Sequence, residues 1–191
     1  PTLALTLGAS EVSLLEMVRA YSAFANGGNR IYPVSIIKIE DNAGNTLKIF
    51  EPHAEPVLKP NVVGTMVNMM EGVLQYGTGR AAKLPRPAAA KTGTTEEYRD
   101  AWFIGFVPQL VAGVWVGNDN NQSMKGVAEV AVCPRIWKAF MLKALVGIPP
   151  TPFARAISVP KTVLPTTPPS NQQLDPSTDS ETPNVSTDPG T

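Results

Sequence analysis

Two hydrophobic rhythms alternate along the chain. Leu14, Met17, Val18, Tyr21, Phe24 and Ala25 recur at helical spacing, which places one apolar stripe on a helix. Ser13-Leu14-Leu15-Glu16 reads as a capping box, with Ser13 capping the first turn and Glu16 reaching back. Asn26-Gly27-Gly28 ends this helix, because glycine tolerates the left-handed cap. The runs VSIIKIE and TLKIF then flank the turn sequence DNAGN and predict a β-hairpin. Pro60, a residue favoured in a first helical turn, opens a second predicted helix. That helix buries Val62, Val63, Met66, Met70 and Val73 and stops before Gly77-Thr78-Gly79.

From Ala88 the rhythm becomes that of strands. AAAKTGT, DAWFIGFV and LVAGVWVG are short apolar runs separated by TEEYR and by Pro108-Gln109. The second gap is short enough for a tight hairpin, so the three runs predict an antiparallel meander. Pro134 opens a last helix with Ile136, Trp137, Phe140, Met141 and Ala144 on its buried face. From about Gly147 the composition shifts, and more than half of the 19 prolines fall there among Ser, Thr, Asp and Asn. Such a segment buries too little apolar surface to offset its ordering entropy. The expectation is a folded region over residues 1–146 and a disordered tail over 147–191. No internal repeat is evident.

Composition narrows the function classes. The 191 residues are 43% hydrophobic and 17% charged, enough for a folded domain with a core. Sixteen basic residues balance sixteen acidic ones, so nothing suggests nucleic acid as a partner. One cysteine, Cys133, excludes an intrachain disulfide. The single histidine, His53, lies in the Pro-flanked stretch EPHAEP and reads as a solvated loop residue. It lacks the companion ligands a metal needs, so no metal is expected. The sequence contains no run of about 18 apolar residues that would span a membrane, and no signal peptide is visible. It opens PTLALTLGAS, without an initiator Met, which reads as a truncated reading frame or a processed fragment.

The candidate chemistry lies in Lys91-Thr92-Gly93-Thr94-Thr95. Alternation along a strand puts Thr92 and Thr94 on one face and Lys91 on the other. Gly93 lets another backbone or a ligand approach closely. An ammonium beside oriented hydroxyls suits a carboxylate, and a free backbone N–H there could stabilise an oxyanion. A plain edge strand guarded by a lysine is the bland alternative.

K-T-G is one of the motifs of penicillin-binding proteins and class A β-lactamases. Here the likeness extends well beyond it. LGASEVSLLEMVRAYSAFANGG, GTGRAA, AAAKTGTTEEYRDAWFIGFVPQLVAGVWVGND and PRIWKAFM resemble, in order, segments of the bacterial class A (bifunctional) penicillin-binding proteins, and they cover most of residues 1 to 145. The resemblance implies an α+β fold of the serine-transpeptidase and β-lactamase type, an antiparallel sheet flanked by helices. It implies a peptidoglycan D,D-transpeptidase, in which a serine attacks a D-Ala-D-Ala stem peptide and passes the acyl group to a neighbouring amine. β-Lactam antibiotics mimic the dipeptide. By the same resemblance, Lys91 supports the polar network beside the nucleophile and attracts the substrate carboxylate. Thr92 and Thr94 bind that carboxylate, Gly93 admits the substrate along the strand, and the Thr94 N–H forms half of an oxyanion hole. No cofactor is implied.

The family's S-x-N is absent, and its S-x-x-K nucleophile motif has only two false matches. Ser35-Ile36-Ile37-Lys38 reads as strand, where residues three apart point to opposite faces. Ser158-Val159-Pro160-Lys161 contains Pro and lies in the tail. In the family these motifs, a glycosyltransferase domain and a membrane anchor lie upstream. This polypeptide is therefore expected to be inactive alone and to fold poorly, and its full protein to work on the extracytoplasmic side of the bacterial inner membrane. A β-lactamase-like hydrolase and a non-catalytic penicillin-sensing domain are the alternatives. Trp102, Trp115 and Trp137 read as core, Asp100 as a turn cap, and Glu96 and Glu97 as solvated turn charges.

Overall fold

The computed structural model describes residues 5, 8, 10–124 and 131–154. Its first helix, α1 (Leu14–Ala25), begins with the expected capping box. The Ser13 N–H donates to Glu16 Oε2 at 2.8 Å and the Glu16 N–H donates to Ser13 Oγ at 3.3 Å. Those bonds to the Ser13 amide and hydroxyl hold the Glu16 carboxyl below its ordinary pKa. Gly27 and Gly28 follow with φ of 81° and 108°, the left-handed region that glycine enters without a Cβ penalty.

A small pair, β1 (Asn29–Ile31) with β4 (Ala54–Pro56), encloses the hairpin β2 (Lys38–Glu40) and β3 (Thr46–Ile49). The hairpin stands where expected, but its first strand is shorter than the VSIIKIE run. Ser35 lies at a bend outside it. In the turn, Asp41 Oδ1 accepts from the N–H groups of Ala43 and Asn45.

Helix α2 (Pro60–Gln75) has Pro60 in its first turn. Its buried face is Val63, Val67, Met70 and Leu74, a stripe rotated from the expected one. Met66 and Val73 are only half-buried, and Val62 is exposed. A 3₁₀ turn, Arg80–Ala82, leads into the main sheet.

That sheet is the expected meander of β5 (Ala89–Thr94), β6 (Asp100–Val107) and β7 (Leu110–Gly117), in spatial order β5-β6-β7. Val107 pairs with Leu110 across a two-residue hairpin loop. Ile104 stands opposite Gly113, and Gly105 opposite Ala112. Neighbouring residues point to opposite faces, and the two glycines show what covers each face. A Cβ on Gly113 would lie 2.8 Å from Leu14 Cδ1 of α1. A Cβ on Gly105 would lie 2.6 Å from the Trp137 ring.

Trp137 belongs to α3 (Val132–Ala144). It is fully buried, its ring meets Phe103 edge-on, and its indole N–H bridges the Gly105 and Ala112 carbonyls at 3.1 Å each. Cys133, Pro134 and Met141 complete the buried side of α3. Ile136 and Phe140, expected in the core, are instead exposed. They border an open apolar groove with Val18, Val111 and Val114 alongside β7, so their stripe is apolar but lacks a covering element among the described residues.

Residues 148–153, which composition assigns to the tail, bond back to this unit. Arg86 donates to the Ile148 carbonyl, Gln109 to the Pro149 carbonyl, and Phe153 packs edge-on against Phe106. The rest of the expected tail, from residue 155, lies outside the described residues.

Gly105→Ala is expected to lower stability by about 1–3 kcal/mol, the range for forcing atoms into a packed core. Trp137→Ala should cost more, about 3–5 kcal/mol. Urea midpoints followed by circular dichroism measure both. A Gly105→Ala midpoint equal to that of the parent would mean that α3 does not clamp this strand.

Candidate active site

The Lys91-Thr92-Gly93-Thr94 segment closes β5, which among the described residues pairs only with β6 and so forms an edge of the sheet. Lys91 stands opposite Ile104, Thr92 opposite Phe103, Gly93 opposite Trp102 and Thr94 opposite Ala101. Just beyond the strand, the Thr95 N–H donates to the Asp100 carbonyl at 3.1 Å. That bond marks Thr95 and Asp100 as a hydrogen-bonded pair of the antiparallel ladder. Such pairs alternate with non-bonded ones. Gly93 and Lys91 therefore turn their N–H and C=O groups toward β6, whereas Thr92 and Thr94 turn theirs to the open edge.

Side chains alternate independently of this. Thr92 and Thr94 share the face of Phe103, on the α3 side, and Lys91 and Gly93 share the face of Ile104 and Trp102. The exposed Lys91 nonetheless curls to the edge, where its Nζ donates to the Thr92 carbonyl at 2.7 Å. One strand edge thus gathers an ammonium group, two hydroxyls and the outward-facing N–H of Thr94. A Cβ on Gly93 would lie 3.2 Å from Trp102 Cβ, so glycine sits tightly against β6 here. The arrangement can bind an anion and stabilise negative charge developing on a carbonyl oxygen.

Two contacts support this edge, and the first was not foreseen from the sequence. Thr78, in the loop after α2, forms a 2.8 Å hydroxyl–hydroxyl bond with Thr92. The signal available was a lone threonine between two glycines directly after a helix. The second support is the turn from β5 to β6. The Asp100 N–H donates to Thr95 Oγ1 at 2.8 Å, and Asp100 accepts from the Thr95 hydroxyl at 3.2 Å and from the Trp115 indole at 2.8 Å. Asp100 is therefore the turn cap expected of it. Arg99 pairs with Glu97 at 2.6 Å. Glu97 and Tyr98 take the left-handed conformation, with φ of 58° and 57°, uncommon for residues with a side chain. The Ser123 hydroxyl donates to the Glu97 carbonyl, and the Met124 N–H donates to that of Tyr98, which ties the turn to the segment after β7.

Of the tryptophans, Trp137 is core as expected. Trp102 is half-buried and Trp115 is 39% exposed, so Trp115 is not core. It stacks obliquely on Trp102 with ring centroids 6.4 Å apart, on a part of the sheet face that no described element covers. His53 is exposed, as expected, and packs on the Tyr32 ring. Burial pushes the Cys133 thiol pKa up, and its S–H donates to the Ala101 carbonyl, away from this edge. Ser35 and Lys38 form no helical pair, since a bend and a strand hold them. Ser158 and Lys161 lie outside the described residues. Among the described residues no group of three or more His, Cys, Asp or Glu could hold a metal.

Residues 1–139 match the family described as the penicillin binding protein transpeptidase domain. Penicillin-binding protein 1A of Aquifex aeolicus is 41% identical over 143 residues, covering 74% of this chain and 20% of that protein. Penicillin-binding protein 2D of Bacillus subtilis is 39% identical over 158 residues, covering 78% of this chain and 23% of its own. The crystal structure of penicillin-binding protein 1A from Haemophilus influenzae superposes with a TM-score of 0.73 at 27% identity, over 82% of this chain and 30% of that one. The chain thus spans about a fifth of the length of these curated relatives.

Asp100→Ala removes the acceptor shared by Thr95 and Trp115. Hydrogen exchange at the Thr95 N–H is expected to accelerate on the order of tenfold, the loss of about 1 kcal/mol of local stability. Asp100→Asn, which keeps an acceptor, should exchange nearly as slowly as the parent. An unchanged rate in the alanine variant would mean that the backbone alone holds the turn.

Proposed function

The chain belongs to the penicillin-binding protein transpeptidase domain family, and on that premise we propose that it supplies the substrate-recognition wall of a serine D,D-transpeptidase that cross-links peptidoglycan. The observation that carries this reading is the Lys91-Thr92-Gly93-Thr94 segment on the free edge of β5. A stem peptide ending in D-Ala-D-Ala lies along this edge. Its terminal carboxylate meets the Lys91 ammonium and the Thr92 and Thr94 hydroxyls, a point charge with oriented donors. The Thr94 N–H faces the scissile carbonyl and stabilises the oxyanion that forms when serine attacks. The second donor is the amide of the serine itself. Acylation releases D-alanine, and the acyl group then passes to an amine of a neighbouring stem peptide. β-Lactams enter the same groove and acylate the same serine. Side chains and backbone donors suffice for this chemistry.

The serine belongs to the part of the longer protein outside this sequence, as do the S-x-x-K and S-x-N motifs. The chain alone is therefore inactive. The groove lined by Val18, Val111, Val114, Ile136 and Phe140 supports the same reading, since upstream segments of the domain would bury it. Kinship with proteins named 1A favours cross-linking over β-lactam hydrolysis or penicillin sensing. The substrate places the domain on the extracytoplasmic face of the bacterial inner membrane. No helix among the described residues is long and apolar enough to cross a membrane.

In the full-length protein, Lys91→Ala is expected to slow acylation by a fluorescent penicillin at least about 100-fold with the circular dichroism spectrum unchanged. The isolated chain should take up no label. Acylation of the Lys91→Ala protein at the parent rate would remove Lys91 from the active site.

A further inference from the structure

Thr78 is exposed, yet its position is closely constrained. The last turn of α2 is knitted to the loop that follows. The N–H groups of Tyr76 and Gly77 both donate to the Gly72 carbonyl, and that of Gly79 donates to Val73, each at 3.0 Å. The loop lies close against the helix on either side of Thr78, leaving little room for a Cβ at Gly77 or Gly79. A Cβ on Gly77 would come within 2.8 Å of Val73 Cα. A Cβ on Gly79 would come within 3.0 Å of Val73 Cγ1 and 3.2 Å of Phe103 Cε2. Phe103 is itself fully buried and stands opposite Thr92 in the sheet. The loop and β5 are therefore seated on the same core residue, and the Thr78 and Thr92 hydroxyls meet at 2.8 Å.

We propose that Thr78 is a positioning residue for carboxylate recognition: it donates to Thr92 Oγ1 and thereby turns the Thr92 hydroxyl proton toward the substrate. The inference rests on the assignment of Thr92 as a carboxylate-binding group. Each hydroxyl carries one proton, and a carboxylate only accepts. If Thr92 donated to Thr78, it would present lone pairs to an incoming anion and repel it. If Thr78 donates, the Thr92 proton is left for the ligand. The second arrangement forms a chain from Thr78 O–H through Thr92 O–H to the carboxylate, in which each bond polarises the next. The same bond restrains the Thr92 side-chain rotamer, so part of the ordering cost is met before substrate arrives.

The test uses the full-length protein, with second-order acylation rates for benzylpenicillin and for its methyl ester, which lacks the anionic carboxylate. Thr78→Val removes the donor at nearly constant shape. It is expected to slow benzylpenicillin about tenfold, the loss of a hydrogen bond to a charged group felt through one intermediary, and to leave the ester nearly unaffected. Thr78→Ser restores the rate. Thr92→Val discriminates in the same direction, and adding Thr78→Val to it brings no further loss, since one residue acts through the other. If Thr78→Val slows both compounds alike, or its effect adds in full to that of Thr92→Val, Thr78 serves only to fasten the loop and the proposal fails. If Thr92→Val discriminates but Thr78→Val does not, the proposal fails while the carboxylate assignment stands. If Thr92→Val itself treats acid and ester alike, the carboxylate assignment falls and this proposal falls with it.

Discussion

One-sided pairing of β5 is the constraint on which the site depends. A central strand directs all its N–H and C=O groups to its neighbours, whereas an edge strand leaves every second residue facing outward. Because Thr95 bonds to Asp100, the outward residues include Thr92 and Thr94 rather than Lys91 and Gly93. A slip of one residue would reverse this choice and also exchange the faces of all the side chains. Register is accordingly held from both ends. Asp100 fixes the turn, through Thr95 and Trp115. Behind the sheet, Trp137 fits the space above Gly105 and bonds to carbonyls of β6 and β7. Edge strands invite pairing with other chains, and the exposed Lys91 beside the open edge opposes that.

Local signals in the sequence translated directly into structure. The Ser13 and Glu16 capping box, the Gly27-Gly28 stop, Pro60 in a first turn, and the three strand runs each depend on residues within a few positions of one another. The antiparallel meander followed from their spacing. Identifying the site rested on K-T-G-T with the surrounding family segments, and the strand alternation of Lys91, Thr92 and Thr94 was legible from a period of two.

Long-range features were not legible. Periodicity shows that a stripe of α3 is apolar, but it cannot show which part of that stripe meets a partner within this sequence. Trp137 and Met141 meet the sheet, while Ile136 and Phe140 border the open groove. Trp115 misled for the same reason, since an apolar strand reads as buried whether or not a helix covers it. The VSIIKIE run gave only a three-residue strand, paired with the four-residue β3 through an irregular register between Ile39 and Glu40 that β-branching does not reveal. The Thr78–Thr92 bond joins residues 14 apart through hydroxyls, and no hydrophobic pattern registers such a contact.

The proposed separation of recognition and nucleophile on different parts of a domain would have an energetic consequence. Only interactions stronger in the transition state than in the bound substrate accelerate the chemical step. In the proposed reading the carboxylate is anionic throughout, so the hydroxyls and the ammonium proposed to hold it would chiefly bind and orient the peptide. The Thr94 N–H would differ, because the oxygen it is proposed to face gains its negative charge only on attack. Both tasks lie on one short strand, and a rigid strand keeps the distance between anchored carboxylate and reacting carbonyl constant. Stiffness at β5 therefore converts binding at one end of the dipeptide into alignment at the other. The glycine-flanked loop of Thr78, the Asp100 turn and the Trp137 clamp all act on that one property.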